Sequence, residues 1–261
     1  MQFKRTILFF NVAFIAIGFA YFGRSNDRLD EAEGAVRLGQ IQLVLSQSEI
    51  GRAALAQAEQ YDVEIQFEAG QGTVYQSNYN TMTIDAAHSP ERAALSFVHE
   101  MVHAQYHHEG IRPAMMAVGR EAYVEARVLE EAEAVALAIE AKMALEAAGV
   151  EFGQAHPPLE DHYLAAHEAA KKAAVARERD ISQIELAVIG QVAGRERAVQ
   201  AFANGELLTS HTMETYPEYY GSCWDRTDMM VSLIIPVREA VPGHSIDELA
   251  DWAIGRGSDS C

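Results

Sequence analysis

Residues 95–106 read Leu-Ser-Phe-Val-His-Glu-Met-Val-His-Ala-Gln-Tyr. Inside them stands His99-Glu100-x-x-His103. On a helix, residues four apart share one face. Two imidazoles at that spacing can hold one divalent ion, and the pattern points to zinc. Glu100, beside them, is placed to take a proton from a water at that ion. The reading needs a helix, and the flanks supply one. Ser89 is an N-cap with Pro90 at the first helical position. Gly110 is the stop, so the helix runs to about His108.

Upstream of this helix the period is two. Val63, Ile65 and Phe67 alternate with Glu64, Gln66 and Glu68, which predicts a half-buried strand. Gly70 and Gly72 mark a turn. Residues 73–76 form a second strand and Thr81–Asp85 a third, leading into the motif helix. Thr81–Asp85 is expected at the edge of the sheet, where an extended peptide could add. Earlier still, residues 35–45 and 48–60 show helical spacing, with Ser48 capping the second.

Downstream the chain is expected to be almost all helix. Residues 115–148 form one long Ala/Glu-rich helix with Gly119 as a bend, and His156-Pro157-Pro158 breaks it. Residues 159–177 form the next helix. Ser182-x-x-Glu185 is a capping box opening another, to about Asn204. Residues 205–225 are expected as a loop carrying Tyr216, Tyr219, Tyr220 and Trp224. Residues 229–240 form an apolar helix kinked or ended near Pro236, and 246–254 a last short one.

A catalytic zinc takes three protein ligands and keeps a fourth position open. His107 would stretch the set over about 12 Å of helix axis, too far for one ion. The third ligand is therefore sought on the long helix, among Glu121, Glu125, Glu130, Glu131 and Glu133. Val124, Val128, Val135 and Ala138 trace an apolar stripe, and Glu131 falls on it. A carboxylate on a buried face is costly unless paired or metal-bound, so Glu131 is preferred. Glu121, Glu125 and Glu133 are the alternatives. Glu130 and Glu133 fall off the stripe and read as solvated. A donor for a developing oxyanion is sought among His211, Tyr216, Tyr219 and Tyr220, with Tyr219 or Tyr220 preferred. The remaining isolated histidines, His88, His162, His167 and His244, read as surface or ordinary hydrogen-bonded residues.

His99-Glu100-x-x-His103 followed by Glu131-Ala-Glu133-Ala134 resembles the gluzincins, zinc peptidases whose third ligand is a glutamate on a later helix. The spacing rules out the metzincin pattern, since Tyr106 and Glu109 stand where it needs Gly and His. More closely, the chain resembles a family of uncharacterised bacterial metallopeptidase domains. That likeness runs through Ser48-x-x-Gly51-Arg52, residues 63–67, Ile84-Asp85 and Glu131-Ala-Glu-Ala, and covers roughly residues 46–149. It implies zinc and peptidase-like chemistry on a peptide or protein substrate. Val135 departs from the Asp or Asn that several such relatives carry there, so no outer-sphere partner is expected from it.

With 38 acidic against 20 basic residues and a formal charge of −18, the chain is not built to bind nucleic acid, which needs a face of Lys and Arg. Lys4 and Arg5 precede an uncharged apolar run, 6–23, just long enough to span a membrane. A signal-anchor is preferred over a cleaved signal peptide, with the remainder outside an inner membrane, in a bacterial periplasm. Cys223 and Cys261 form either one disulfide or two unrelated thiols.

The sequence thus predicts an α+β, mostly helical chain. Residues 1–23 are the membrane segment and 24–45 a linker and helix. Residues 46–240 form a zincin-like domain, its small sheet packed on the motif helix and followed by a helical part, and 241–261 a terminal helix and tail. Function is expected to be zinc-dependent peptide hydrolysis with Glu100 as general base. The rival is a non-enzymatic, membrane-tethered envelope protein with a structural zinc site. A third possibility is zinc-dependent hydrolysis of a non-protein amide, such as a cell-wall peptide.

Overall fold

The structure is a computed structural model, and it describes residues 28–70, 72–153, 155–177, 180–210 and 212–240. The expected membrane segment, His211 and the helix at 246–254 lie outside the described residues. Among those described, no helix is long and apolar enough to cross a membrane.

The chain is α+β, with seven helices and one small sheet among the described residues. Helices α1 (Glu31–Leu45) and α2 (Glu49–Gln60) come first. Ser48 caps α2, its side chain accepting from the Gly51 amide. Strands β1 (Glu64–Glu68), β2 (Val74–Gln76) and β3 (Thr81–Asp85) follow. The motif helix α3 spans Pro90–His108, with Ser89 as its cap, and Gly110 follows it with φ +66°. A core of Ile41, Leu45, Phe67, Met82, Ile84, Phe97 and Met101 seals α1, α2 and the sheet against α3.

Sheet order corrects the expected edge. The order is β1-β3-β2, with β1 parallel and β2 antiparallel to β3. Thr81–Asp85 is the central strand, and all five of its residues are buried. The strand at the margin beside α3 is β2. Thr-Met-Thr-Ile-Asp has no charge before its last residue, which suits burial on both faces. Threonines tolerate that because their hydroxyls find backbone acceptors, as Thr81 does at Tyr79.

Helix α4 spans Arg120–Ala147. Gly119 is its N-cap rather than a bend, and Met115–Ala117 is a separate 3₁₀ turn. Helices α5 (Glu160–Arg177) and α6 (Gln183–Ala203) form an antiparallel pair, and α6 opens on the expected Ser182/Glu185 capping box. Glu140 of α4 ties this layer together, accepting from both Nε and Nη2 of Arg195 at 2.7 Å and from the Tyr163 hydroxyl at 2.7 Å.

The predicted loop at 205–225 ends early. Helix α7 spans Tyr216–Ala240, so the tyrosine cluster forms its first turns and the helix continues past Pro236. A second capping box explains the start. Glu218 accepts from the Thr215 amide, and the Thr215 hydroxyl accepts from the Glu218 amide. Pro217 sits in the first turn, where a missing N–H costs nothing. Cys223, buried on α7, is disulfide-bonded. Cys261, the chain's other cysteine, lies outside the described residues.

The α5–α6 contact depends on two glycines. A Cβ on Gly194 would fall into the ring of Tyr163, and one on Gly190 into the imidazole of His167. Gly194→Val is therefore expected to destabilise the chain by about 1–3 kcal/mol through overpacking. A urea melt reads it, and an unchanged midpoint would show that the two helices do not need this approach.

Candidate metal centre

Helix α3 presents His99 and His103 one turn apart, and α4 crosses it with Glu131 facing them. The His99 and His103 Nε2 atoms are 3.2 Å apart. Glu131 Oε2 lies 3.8 Å from His99 Nε2, and its Oε1 lies 3.8 Å from His103 Nε2. One donor atom from each of the three residues falls within 4.8 Å of the others, the one such cluster among the described residues. Ligands about 2.1 Å from a shared tetrahedral ion sit roughly 3.4 Å apart, so the donor set fits one ion of that size. The preferred third ligand is the one α4 brings to the histidines. Glu121 and Glu125 are exposed, and Glu133 is half-buried with its carboxylate accepting from the Tyr106 hydroxyl.

Protonation suits the same reading. Burial and the neighbouring His103 pull His99 down to about 4, so it is neutral with a lone pair to offer. Burial alone would push Glu131 up, but His103, His99 and Arg127 outweigh it and hold the group ionised. Burial pulls His103 down, and the carboxylates of Glu131 and Glu130 more than reverse this, so the net direction is up. A cation entering the cluster must displace that proton. Metal uptake is thus expected to release protons and to strengthen as pH rises through the histidine range. Calorimetry in buffers of different ionisation enthalpy checks this, and equal heats in all of them would contradict it.

Glu130 corrects the sequence reading most sharply. It is 1% exposed, not solvated. Its Oε1 lies 2.7 Å from His103 Nδ1, and its oxygens also accept from Arg112 and Arg127. With Nδ1 donating to Glu130, it is the Nε2 proton of His103 that an entering cation would displace, which turns the Nε2 lone pair to the cluster, the usual arrangement of a carboxylate behind a metal-binding histidine.

Glu100 is buried behind the pair, and its Oε2 accepts from the Tyr75 amide of β2 at 2.8 Å. Burial pushes its carboxyl up to about 7. Near neutrality such a group both accepts and returns a proton. The margin strand therefore orients the Glu100 carboxyl.

The tyrosines of α7 divide. Tyr220 is buried and its hydroxyl donates to Glu131 Oε1 at 2.5 Å, so that hydroxyl is committed to holding the Glu131 carboxylate in place. Tyr219 packs against the Tyr220 ring at 5.2 Å. Tyr216 has its pKa raised by burial and by the fields of Glu131 and Glu100, with neither carboxylate hydrogen-bonded to its hydroxyl. Neither Tyr216 nor Tyr219 is hydrogen-bonded to the cluster; Tyr216 feels both Glu131 and Glu100, and Tyr219 feels Glu131 alone of the two. His107 and His108 are exposed, and His108 stacks on Tyr61 with centroids 4.6 Å apart. His167 is buried between α5 and α6, and His88 beside Asp85, both away from the cluster.

Comparison of the chain with protein-family models, with curated proteins and with solved structures gave no match.

Proposed function

We propose that the chain is a metal-dependent hydrolase acting on peptide bonds, of gluzincin type, with zinc as its metal. The supporting observation is the convergence of His99, His103 and Glu131, with Glu100 buried beside them and fixed by β2. When bound, zinc would supply Lewis acidity, polarising a carbonyl and lowering the pKa of water toward about 7. The protein's residues supply the rest. Glu100 takes the proton of the attacking water and returns it to the leaving amine. Tyr75 holds one Glu100 oxygen, leaving the other for the proton. An extended substrate running along β2 would pass both Glu100 and the cluster, the role the sequence reading gave to β3. The zincin-like arrangement belongs to this proposal, as does an anchored, periplasmic location given by residues 6–23.

Tyr216 replaces Tyr219 and Tyr220 as the oxyanion donor in this scheme. Tyr216→Phe is expected to lower kcat about 10²–10³-fold, the span for loss of a single oxyanion donor, while zinc affinity stays as in the wild type. A variant with unchanged kcat would remove Tyr216 from the mechanism.

The reading as a whole is tested by metal content and turnover together. The purified chain is expected to hold about one zinc, to cleave an unstructured protein, and to lose cleavage with a chelator. Zinc without any cleavage across a broad peptide library would favour a structural site, and no zinc at all would end the proposal.

A further inference from the structure

Arg127 sits one turn before Glu131 on α4 and is only 9% exposed. Its guanidinium reaches in two directions. Nη1 donates to Glu130 Oε2, and Nη2 donates to the Tyr220 hydroxyl at 3.2 Å. Its Cζ also lies over the Tyr220 ring, 4.7 Å from the centroid. Each partner is bonded onward to a different residue of the cluster. Glu130 Oε1 meets His103 Nδ1 at 2.7 Å, and the Tyr220 hydroxyl meets Glu131 Oε1 at 2.5 Å. One side chain therefore joins two branches that end on ligands of two different helices.

We propose that Arg127 is a positioning residue that sets the His103 imidazole and the Glu131 carboxylate relative to each other, and so sets the affinity and geometry of the metal centre. The inference rests on the metal-centre reading above. Charge balance alone does not call for this residue at Glu130, because Arg112 already donates to both Glu130 oxygens. Burying a second guanidinium is costly. The cost is raised further because Arg127 Nε is buried with no hydrogen-bond partner. The side chain is thus oriented by its two Nη contacts at the expense of the Nε–H. A planar fork can serve Glu130 and Tyr220 together while stacking on the ring, whereas a lysine ammonium is a point donor and cannot reproduce that arrangement. Tyr220 belongs to α7, so the same link makes placement of the ligand Glu131 depend on a helix 89 residues further along the chain.

The experiment compares the full chain with Arg127→Met, Arg127→Lys, Tyr220→Phe and the Arg127→Met/Tyr220→Phe double variant. Zinc dissociation constants come from chelator competition, the visible spectrum of the cobalt(II)-loaded protein reports ligand geometry, and melting of the metal-free chain reports folding. Arg127→Met is expected to weaken zinc binding about 10–100-fold, the range for lost outer-sphere partners. Arg127→Lys should fail to restore it and should shift the cobalt bands. The double variant should lose little more than the worse single one, because Arg127→Met already cuts the branch through Tyr220 as well as the one through Glu130. Wild-type affinity and spectrum in folded Arg127→Lys would overturn the proposal, as would losses that simply add. If the methionine variant does not fold, the lysine and phenylalanine variants carry the same comparison. Wild type that binds no zinc would overturn the metal-centre reading and this proposal together. Normal wild-type binding with unaffected variants would overturn only the role of Arg127.

Discussion

Glu100→Gln is expected to abolish hydrolysis while leaving the metal in place. The amide keeps the size of the carboxyl and can still accept the Tyr75 amide hydrogen bond that orients Glu100. It cannot accept a proton from water near neutrality. General acid/base groups contribute about 10²–10⁴-fold, so turnover should fall by at least that factor. Zinc affinity should change little, since Glu100 is not one of the three converging donors. Stability gives an independent check. Burial raises the Glu100 carboxyl to about 7, so in the metal-free chain the folded form binds a proton more tightly than the unfolded one. Stability at this group is fully present below the ordinary carboxylate pKa of 4.5 and is lost as pH rises through about 7. Glutamine does not ionise, and the metal-free variant should therefore be more stable than wild type on the alkaline side of that window. Residual turnover in Glu100→Gln near the wild-type rate would remove Glu100 from the chemistry.

Much of this centre was legible in the chain because its signals are local. The i, i+4 histidines, the Ser89-Pro90 start and the Ser182/Glu185 box are each read within one or two turns. Glu131 needed one longer inference, from an acid on an apolar stripe to a partner of the two histidines, and its carboxylate lies within 4.8 Å of their ring nitrogens. What escaped depended on how many neighbours an element has. Helix α4 packs against α3, α6 and α7, so its buried arc is wider than one stripe and takes in Glu130, about 100° from Glu131. The available clue was Arg127, three residues before Glu130, because a buried acid needs a buried base. Strand order escaped because sequence adjacency does not fix which strand lies in the middle. The start of α7 is readable, since Thr215-x-Pro217-Glu218 carries the same capping chemistry as Ser182-x-x-Glu185.

Glu130→Ala is expected to produce two losses at once, which separates a metal-supporting carboxylate from a simple core ion pair. The carboxylate is the shared acceptor of His103, Arg112 and Arg127. Its removal leaves a buried guanidinium at Arg127 without its anion, and breaking a buried pair this way costs about 3–5 kcal/mol. That loss should depend on pH. Burial pushes Glu130 up, but His103, Arg127 and Arg112 outweigh it and hold it well below the usual carboxylate range. A carboxyl with a depressed folded pKa contributes stability that is present above its unfolded value and disappears as acid protonates the folded form. The gap between wild type and Glu130→Ala in the metal-free chain should therefore be full near neutrality and narrow in strong acid. The second loss falls on the metal. Without an acceptor at Nδ1, His103 is free to change tautomer and rotate, and zinc affinity should drop about 10–100-fold. Urea melts across pH give the first loss and chelator competition the second. Stability lost with zinc affinity intact would assign Glu130 to the core alone, because the imidazole would then hold its lone pair on the cluster without help from the carboxylate behind it.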